Sequence, residues 1–453
     1  MSTQQTPRKL FRGGTVVTMD ANVPNLETGD VLVEDSRIIA VGSGLNADDA
    51  EIIDARNAIV LPGLVDAHHH AWLAVMRRMM PDVDDLFAYI AVVAERLGSA
   101  YRPQDMYQST KLTAVASLDA GITTIVDACH NSRSPEHTDA ALDALDAAGI
   151  RALHMVGKPM DKRASPVHLP HDLERLAVAR NGSDDDDLVH VGLFGQLDLE
   201  AWAAARRLGV RILTEFIGDL AKLGPEFAAK GVLGTDNIFN HCTRMPQEAW
   251  KLLADAGVNV TVNPRSDALF GFDDESFAYQ QAIDYGLTPA LGIDIDTAFG
   301  SDMFGEMHTL FSQQRSAMRY RRFRGEAEVA APITVEAVLQ AATVNGARAA
   351  GLERSIGTLT PGKQADIIMV RADGIGVFPA TNAIGTIVQA VGRSDVDTVM
   401  VAGEFRKRGG KLIDVDTAKL LAEVAASRDF LFGTTGYLPG RFESSAAAQN
   451  SAA

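Results

Sequence analysis

With 453 residues, the chain is long enough for one large barrel with an appendage or for two to three ordinary domains. Hydrophobic residues at 46% and charged residues at 22% exclude a mainly disordered chain, and a formal charge of −17 without a Lys/Arg block excludes a nucleic-acid-binding surface. The only cysteines, Cys129 and Cys242, stand in no CxxC spacing, which excludes a disulfide framework and a zinc knuckle.

The first residues, MSTQQTPRK, carry no apolar run of the kind that directs secretion, and no later stretch is long and apolar enough to span a bilayer. A cytoplasmic protein is expected. From Leu10 to Gly42, short β-type runs alternate with turns: TVVTM, then DVLVEDSRIIAVG with Asp35-Ser36 at a hairpin turn. The pattern then changes to short apolar strands followed by amphipathic helices. Eight strands are predicted, IVLPGLVDAHHH, ITTIVDAC, RALHMVGK, LVHVGLFG, VRILTEF, NIFNHC, NVTVNP and TPALGID, and helix-like runs such as HTDAALDALDAAG and DLEAWAAARRLG separate most of them. Eight successive βα units predict an α/β fold, a closed (β/α)8 TIM barrel.

GSDDDDL at 182–188 reads as a solvated loop rather than a calcium site. A second β block follows, ADIIMVRA at 365–372 and TVMVAGEFRKRGGKLI at 398–413, and with the first block it predicts a small β-sandwich. The resulting division is 1–60 and 356–430 for the two parts of the sandwich, 61–355 for the barrel, and 431–453 for a partly disordered tail ending SSAAAQNSAA.

Catalytic side chains of such barrels stand where strands end. His68, His70, Glu215, His241, Asn263 and Asp294 all end predicted strands. In PGLVDAHHHAW, His68 and His70 lie two apart, so both imidazoles face one side of the strand and reach one ion while His69 points away. Trp72, Arg77 and Arg78 follow directly, either lining a pocket or packing. His130, His154, His190 and His308 have no ligand spacing and read as structural, and Asp127 reads as a hydrogen-bond partner of a ligand.

LPGLVDAHHH, GITTIVDA (121–128), HC (241–242), NPRSD (263–267), LGID (291–294), DMFGEM (302–307) and ATVNGARAAGLERSIGTLTPGKQADIIMV (342–370) together resemble the amidohydrolase superfamily. The resemblance is to its branch of atrazine chlorohydrolase, cytosine deaminase-like and guanine deaminase-like enzymes, and it covers nearly the full length. It implies a (β/α)8 barrel with a β-sandwich built from both termini, a homo-oligomer, and one divalent metal per chain. In the family pattern the HxH pair, a His on strand five and an Asp on strand eight hold the metal, which here matches His68, His70 and Asp294. That metal makes hydroxide available near neutral pH, and Asp294 takes the water's proton. His241 matches the family's catalytic His, which orients substrate or steadies negative charge.

Strand five departs from the pattern. Family members tend to read GV-x-I-x-x-HxxE there, whereas this chain reads GVRILTEFIGD. Counting from Gly209 puts Glu215 in the ligand place, Gly218 in the place of the proton-shuttling Glu, and Asp219 beside it. An offset register instead makes Glu215 the shuttle and puts Ile212 at the ligand place; the first reading is preferred because the strand keeps its usual length. Two His and two carboxylates are harder donors than the family's usual set, which leans toward Mn or Fe with Zn still compatible. Strand seven also differs, with Asn263 either meeting substrate or capping the strand end, and Arg265 and Asp267 are further substrate-contact candidates.

The expected activity is hydrolytic displacement of an amino group, halide or nitro group from a small nitrogen heterocycle, with Asp294 and either Glu215 or Asp219 moving protons. The alternatives are an amide or cyclic-imide hydrolase, and a metal-poor ligand-binding paralogue.

Overall fold

Residues 8–161, 172–181, 187–195, 198–217, 230–272, 277–438 and 440 are described by a computed structural model. Asp219, residues 182–186 of the acidic run, and the SSAAAQNSAA tail lie outside them. The chain divides into two compact units. One comprises Met1–Asp66, Ser117–Thr124 and Asp302–Asp414, and the other Ala67–Ala116, Ile125–Ser301 and Val415–Ala453.

In chain order, β1 (Lys9–Val16), β2 (Leu26–Glu34), β3 (Arg37–Gly42), β4 (Glu51–Asp54) and β5 (Ala58–Pro62) come first. Then come β6 (Leu64–His69), β7 (Ile122–Cys129), β8 (Arg151–Val156), β9 (Val189–Phe194), β10 (Ile212–Phe216), β11 (Asn237–His241), β12 (Asn259–Val262) and β13 (Ala290–Leu291). The last strands are β14 (Ile367–Arg371), β15 (Val396–Val401), β16 (Glu404–Arg408) and β17 (Lys411–Leu412).

The first unit holds one mixed sheet of nine strands, ordered β17-β16-β15-β14-β5-β1-β2-β3 with β4 beside β1. The amino- and carboxyl-terminal blocks meet where β14 pairs antiparallel with β5, Met369 opposite Val60. A bridge from Arg37 to Gln364 and the 2.7 Å bond from Ala365 N to Ser36 O then fold the sheet back on itself. Its inner face buries Phe11, Val31, Val33, Ile38, Val60, Ile367, Met369 and Met400 in one core. Each such side chain contributes roughly 1.5–3 kcal/mol on leaving water. The two expected sandwich layers are therefore arms of a single hydrogen-bonded sheet.

Gly403 allows the fold-back. Its φ is +81°, and a Cβ there would fall 1.9 Å from Asp35 O. Gly403→Ala is expected to lower stability by roughly 2–4 kcal/mol, from left-handed backbone strain plus the clash. Urea denaturation reads this directly, and an unchanged midpoint would contradict it.

The eight strands β6 to β13 form a parallel sheet in sequence order. All eight predicted barrel strands occur, with one correction: IVLPGLVDAHHH is two strands. β5 pairs with β1 and β14 of the mixed sheet, and only β6 enters the barrel. The break falls at Gly63, where a Cβ would stand 2.1 Å from Thr123 Oγ1. β13 is short, and the residues after it complete the circuit. Ile293 N and Asp294 N donate to His68 O at 3.0 and 2.9 Å, His70 N donates to Asp294 O at 2.9 Å, and His69 bridges in parallel to Asp294.

Asp302–Asp414 falls in the unit of the mixed sheet, and the helix Thr417–Thr435 runs past residue 430. Asp416 caps that helix through a 3.0 Å bond from Lys419 N. It packs on the segment after the His pair: Arg96 Nη2 donates to Thr435 O at 3.0 Å, and the Arg102 guanidinium sits 3.3 Å from the Phe430 ring centre.

Candidate metal centre

The period of β6 decides where the three histidines point. His68 and His70 face the same side, their rings edge-on with centroids 4.8 Å apart, while His69 turns away, its Nε2 3.5 Å from Asp296 Oδ2. His70 Nδ1 lies 2.5 Å from Ala128 O at the end of β7. Nδ1 therefore carries a proton, and Nε2 is the nitrogen that faces the centre. Asp127 fixes the backbone beside it, accepting from Ala71 N at 2.9 Å while its other oxygen lies 2.7 Å from His154 Nδ1.

Asp294 adopts a φ of +73° just past β13. Left-handed backbone is uncommon outside glycine, and Asp is among the few residues that tolerate it. The kink delivers the carboxylate inward: Oδ2 accepts from Ser266 Oγ, and Oδ1 lies 3.4 Å from His68 Nε2 and 3.2 Å from His70 Nε2. Glu215, on β10, brings Oε1 within 3.3 Å of His68 Nε2 and 3.2 Å of His70 Nε2. Its side chain remains 18% exposed, so this is the open side of the cluster.

Those four distances test the fit of an ion. Donors at about 2.0–2.1 Å from a tetrahedrally bound zinc lie roughly 3.3–3.4 Å apart. The His68 pairs, at 3.3 and 3.4 Å, have this spacing, and the His70 pairs, both at 3.2 Å, come close to it. The electrostatics agree, since burial alone would raise both carboxyls, yet His68 and His70 hold Glu215 and Asp294 well below the usual range. Burial opposes charge on His70 as well, and the same two carboxylates more than reverse it. Two buried carboxylates facing inward imidazoles call for positive charge at their centre.

His241 ends β11 in left-handed backbone, φ +63°. Its Nδ1 is 2.7 Å from Asp267 Oδ1, and its Nε2 is 3.9 Å from Asp294 Oδ2. Burial works against protonation, but the Asp267 carboxylate and then Asp294 raise its pKa to about 9. One geometric grouping places His68, Glu215, His241 and Asp294 donors within 4.8 Å of one another. His241 belongs to the edge of the centre, because its 3.9 Å distance to the Asp294 carboxylate is longer than the 3.2–3.4 Å distances of His68 and His70.

The other predicted site residues separate by placement. Asn263 is fully buried and begins the helix Pro264–Leu269, but its side chain makes no capping bond; its Nδ2 donates to Asn240 Oδ1 at 3.0 Å beside His241. Arg265 is half-buried with its guanidinium 4.9 Å from the Phe299 ring centre. Trp72 is 1% exposed and packs edge-on against Tyr101 and His130. The ring between it and His70 is that of His130, 4.5 Å from His70, so Trp72 supports the centre from behind. Burial, and then His70, push the His130 pKa down to about 3.

The profile of the Amidohydrolase family matches residues 59–191 and 205–406. The chain belongs to the amidohydrolase family. It is 26% identical over 437 residues to a 5-methylthioadenosine/S-adenosylhomocysteine deaminase of Acetivibrio thermocellus, covering 91% of this chain and 96% of that protein. A zinc-bound adenosine deaminase from Xanthomonas campestris superposes with a TM-score of 0.77 at 22% identity, covering 94% and 98%. An atrazine chlorohydrolase from Arthrobacter aurescens complexed with zinc superposes with a TM-score of 0.78 at 21% identity, covering 92% and 99%. This amidohydrolase is a metal-dependent hydrolase. Among its described residues no helix is long and apolar enough to cross a membrane.

Sequence reasoning missed Ser266, which sits against Asp294, and gave Asp296, Thr113 and Arg77 no joint role. Asp296 accepts from Thr113 Oγ1 at 2.9 Å and from Arg77 Nη2 at 3.2 Å, anchoring the turn after Asp294. A carboxylate two residues past a predicted strand end was the available signal. Gly292 was quoted only within a motif. A Cβ there would stand 2.7 Å from His68 Cβ and 2.4 Å from Asn263 Oδ1. Gly292→Ala is expected to shift His68, lowering stability by roughly 1–3 kcal/mol together with metal content. Thermal melting and elemental analysis check both effects, and a fully loaded variant would show that the close approach is dispensable.

Proposed function

We propose that this amidohydrolase displaces an amino group, or another leaving group such as halide or nitro, from a small nitrogen heterocycle using water. His68, His70, Glu215 and Asp294 would hold one divalent ion; the observation that carries this reading is the 3.2–3.4 Å spacing of the four His–carboxylate pairs. When bound, such an ion supplies Lewis acidity and brings a water's pKa toward neutrality.

The chain's own groups handle the protons and the developing charge. Asp294 accepts a proton from the attacking water through the carboxylate that Ser266 orients. The new C–O bond places negative charge on the heterocycle, and His241, held by Asp267, faces it with an N–H. Collapse breaks the bond to the leaving group, and Asp294 returns the proton to it. Water and substrate thus become an oxo-heterocycle and the protonated leaving group. Asp219 is the second candidate for proton transfer. Two His with two carboxylates favour Mn(II) or Fe(II), with Zn(II) compatible.

Elemental analysis of the purified protein, followed by a panel of purines, pyrimidines, triazines and substituted imidazoles, tests this. Release of ammonia, halide or nitrite is expected. A ring-opened acid as product would point to an amide or imide hydrolase instead, and a metal-free protein without turnover to a binding protein.

A further inference from the structure

Two buried hydroxyls beside the centre are left over by the reading above. Tyr89 is 7% exposed and Thr297 fully buried; the hydroxyls neighbour each other, and neither makes another hydrogen bond among the described residues. Buried polar groups without full partners are rare and costly in native proteins. Their positions are not incidental. Thr297 follows Asp294 by one short turn, its carbonyl accepting from Met80 N at 3.2 Å. Tyr89 stands in the helix Leu86–Ile90, immediately before the π-helical winding of Ala91–Leu97, and such windings recur at functional sites. Asp85 caps the short helix through bonds from Phe87 N and Ala88 N.

The surroundings of Tyr89 combine charge and flat apolar surface. The carboxylates of Asp294, Glu215 and Asp296 all act on its hydroxyl. Its ring meets Phe270 edge-on at 5.5 Å, Phe270 stacks on Phe272 at 4.8 Å and 10°, and Phe272 meets the His241 ring at 5.8 Å. An aromatic path thus runs from Tyr89 to the predicted catalytic His. Neutral hydroxyls among three carboxylates suit an uncharged acceptor and disfavour an anionic one.

We propose that Tyr89 contacts substrate: its hydroxyl, paired with Thr297, donates a hydrogen bond to a ring nitrogen or exocyclic oxygen of an uncharged heterocycle, while Phe270 and Phe272 provide the flat wall. This rests on the heterocycle-hydrolase reading and narrows its substrates to planar neutral rings with an acceptor near the reacting carbon. It makes Tyr89 a specificity-determining residue, leaving the ion to the four residues named above.

The test uses metal-loaded, full-length protein and two uncharged lactams, 4-pyrimidinone and 2-pyrazinone, of the type that water displacement leaves behind. Calorimetric titration is performed on the unaltered protein, Tyr89→Phe and Thr297→Val, with metal content and melting temperature measured in parallel. Tyr89→Phe is expected to weaken lactam binding about tenfold, with Thr297→Val weaker in effect, at unchanged metal content and melting temperature. For any panel compound that is turned over, the loss appears mainly in KM. Equal lactam binding by Tyr89→Phe overturns the proposal, as does loss of metal or fold in that variant, which would make the hydroxyl structural. An unaltered protein that binds neither lactam overturns it too. The hydrolase reading fails on a different result, the absence of released ammonia, halide or nitrite from the loaded protein.

Discussion

Glu215→Gln is expected to reduce metal content from about one ion per chain to near zero, with affinity falling by more than the about 10–100-fold typical of residues that only support a ligand. Glutamine keeps the shape of the side chain and removes its charge. Two imidazoles and two carboxylates neutralise a divalent ion; with one carboxylate gone, the buried site carries a net positive charge and a weaker oxygen donor. The side chain is only 18% exposed, so water compensates poorly. Dialysis against graded metal concentrations followed by elemental analysis gives the answer, and full occupancy in Glu215→Gln would make Glu215 a proton shuttle rather than a ligand. Glu215→His is the companion variant. It should retain an ion and shift preference toward zinc, because an imidazole is a softer donor.

Asp294→Asn is expected to lower kcat/KM by about 10²- to 10⁴-fold, the range of a lost general base, even at saturating metal. Asparagine tolerates the φ of +73° at this position, so the backbone kink survives the substitution. The amide still accepts from Ser266 but no longer takes a proton from water. Ser266→Ala separates orientation from basicity, because it leaves the carboxylate in place and removes the hydroxyl that fixes it. The comparison is made on any compound of the panel that is hydrolysed. Activity of Asp294→Asn within a few-fold of the unaltered protein would remove Asp294 from the proton-transfer role.

The barrel was legible because its strands are short runs rich in apolar and β-branched residues, as in β7, ITTIVDAC, where every residue is buried. β4 was not, since the four residues Glu51–Asp54 are too few to show a period. The His pair followed from the two-residue repeat of a strand, and the structure places Glu215, the unusual residue of strand five, beside both rings. The supporting groups were harder to see. Ser266 and Asp294, or Asp127 and His154, meet through tertiary folding, and no sequence spacing signals such pairs. For Trp72 the sequence left a pocket wall and a packing role both open. An aromatic two residues past a ligand looks like a pocket wall, yet the winding of Ala71–Met76 turns its ring into the core.

The seam of the barrel lies where β6 meets the residues after β13; His68 and His70 stand on one side of it and Asp294 on the other, while Glu215 faces them from β10. An ion gripped there is a cross-link between the first and last staves of the barrel. Opening the seam must release it, so every tenfold rise in free metal above the dissociation constant adds about 1.4 kcal/mol against unfolding. The resistance of this protein to heat is therefore expected to follow the buffer's metal as well as its own chain.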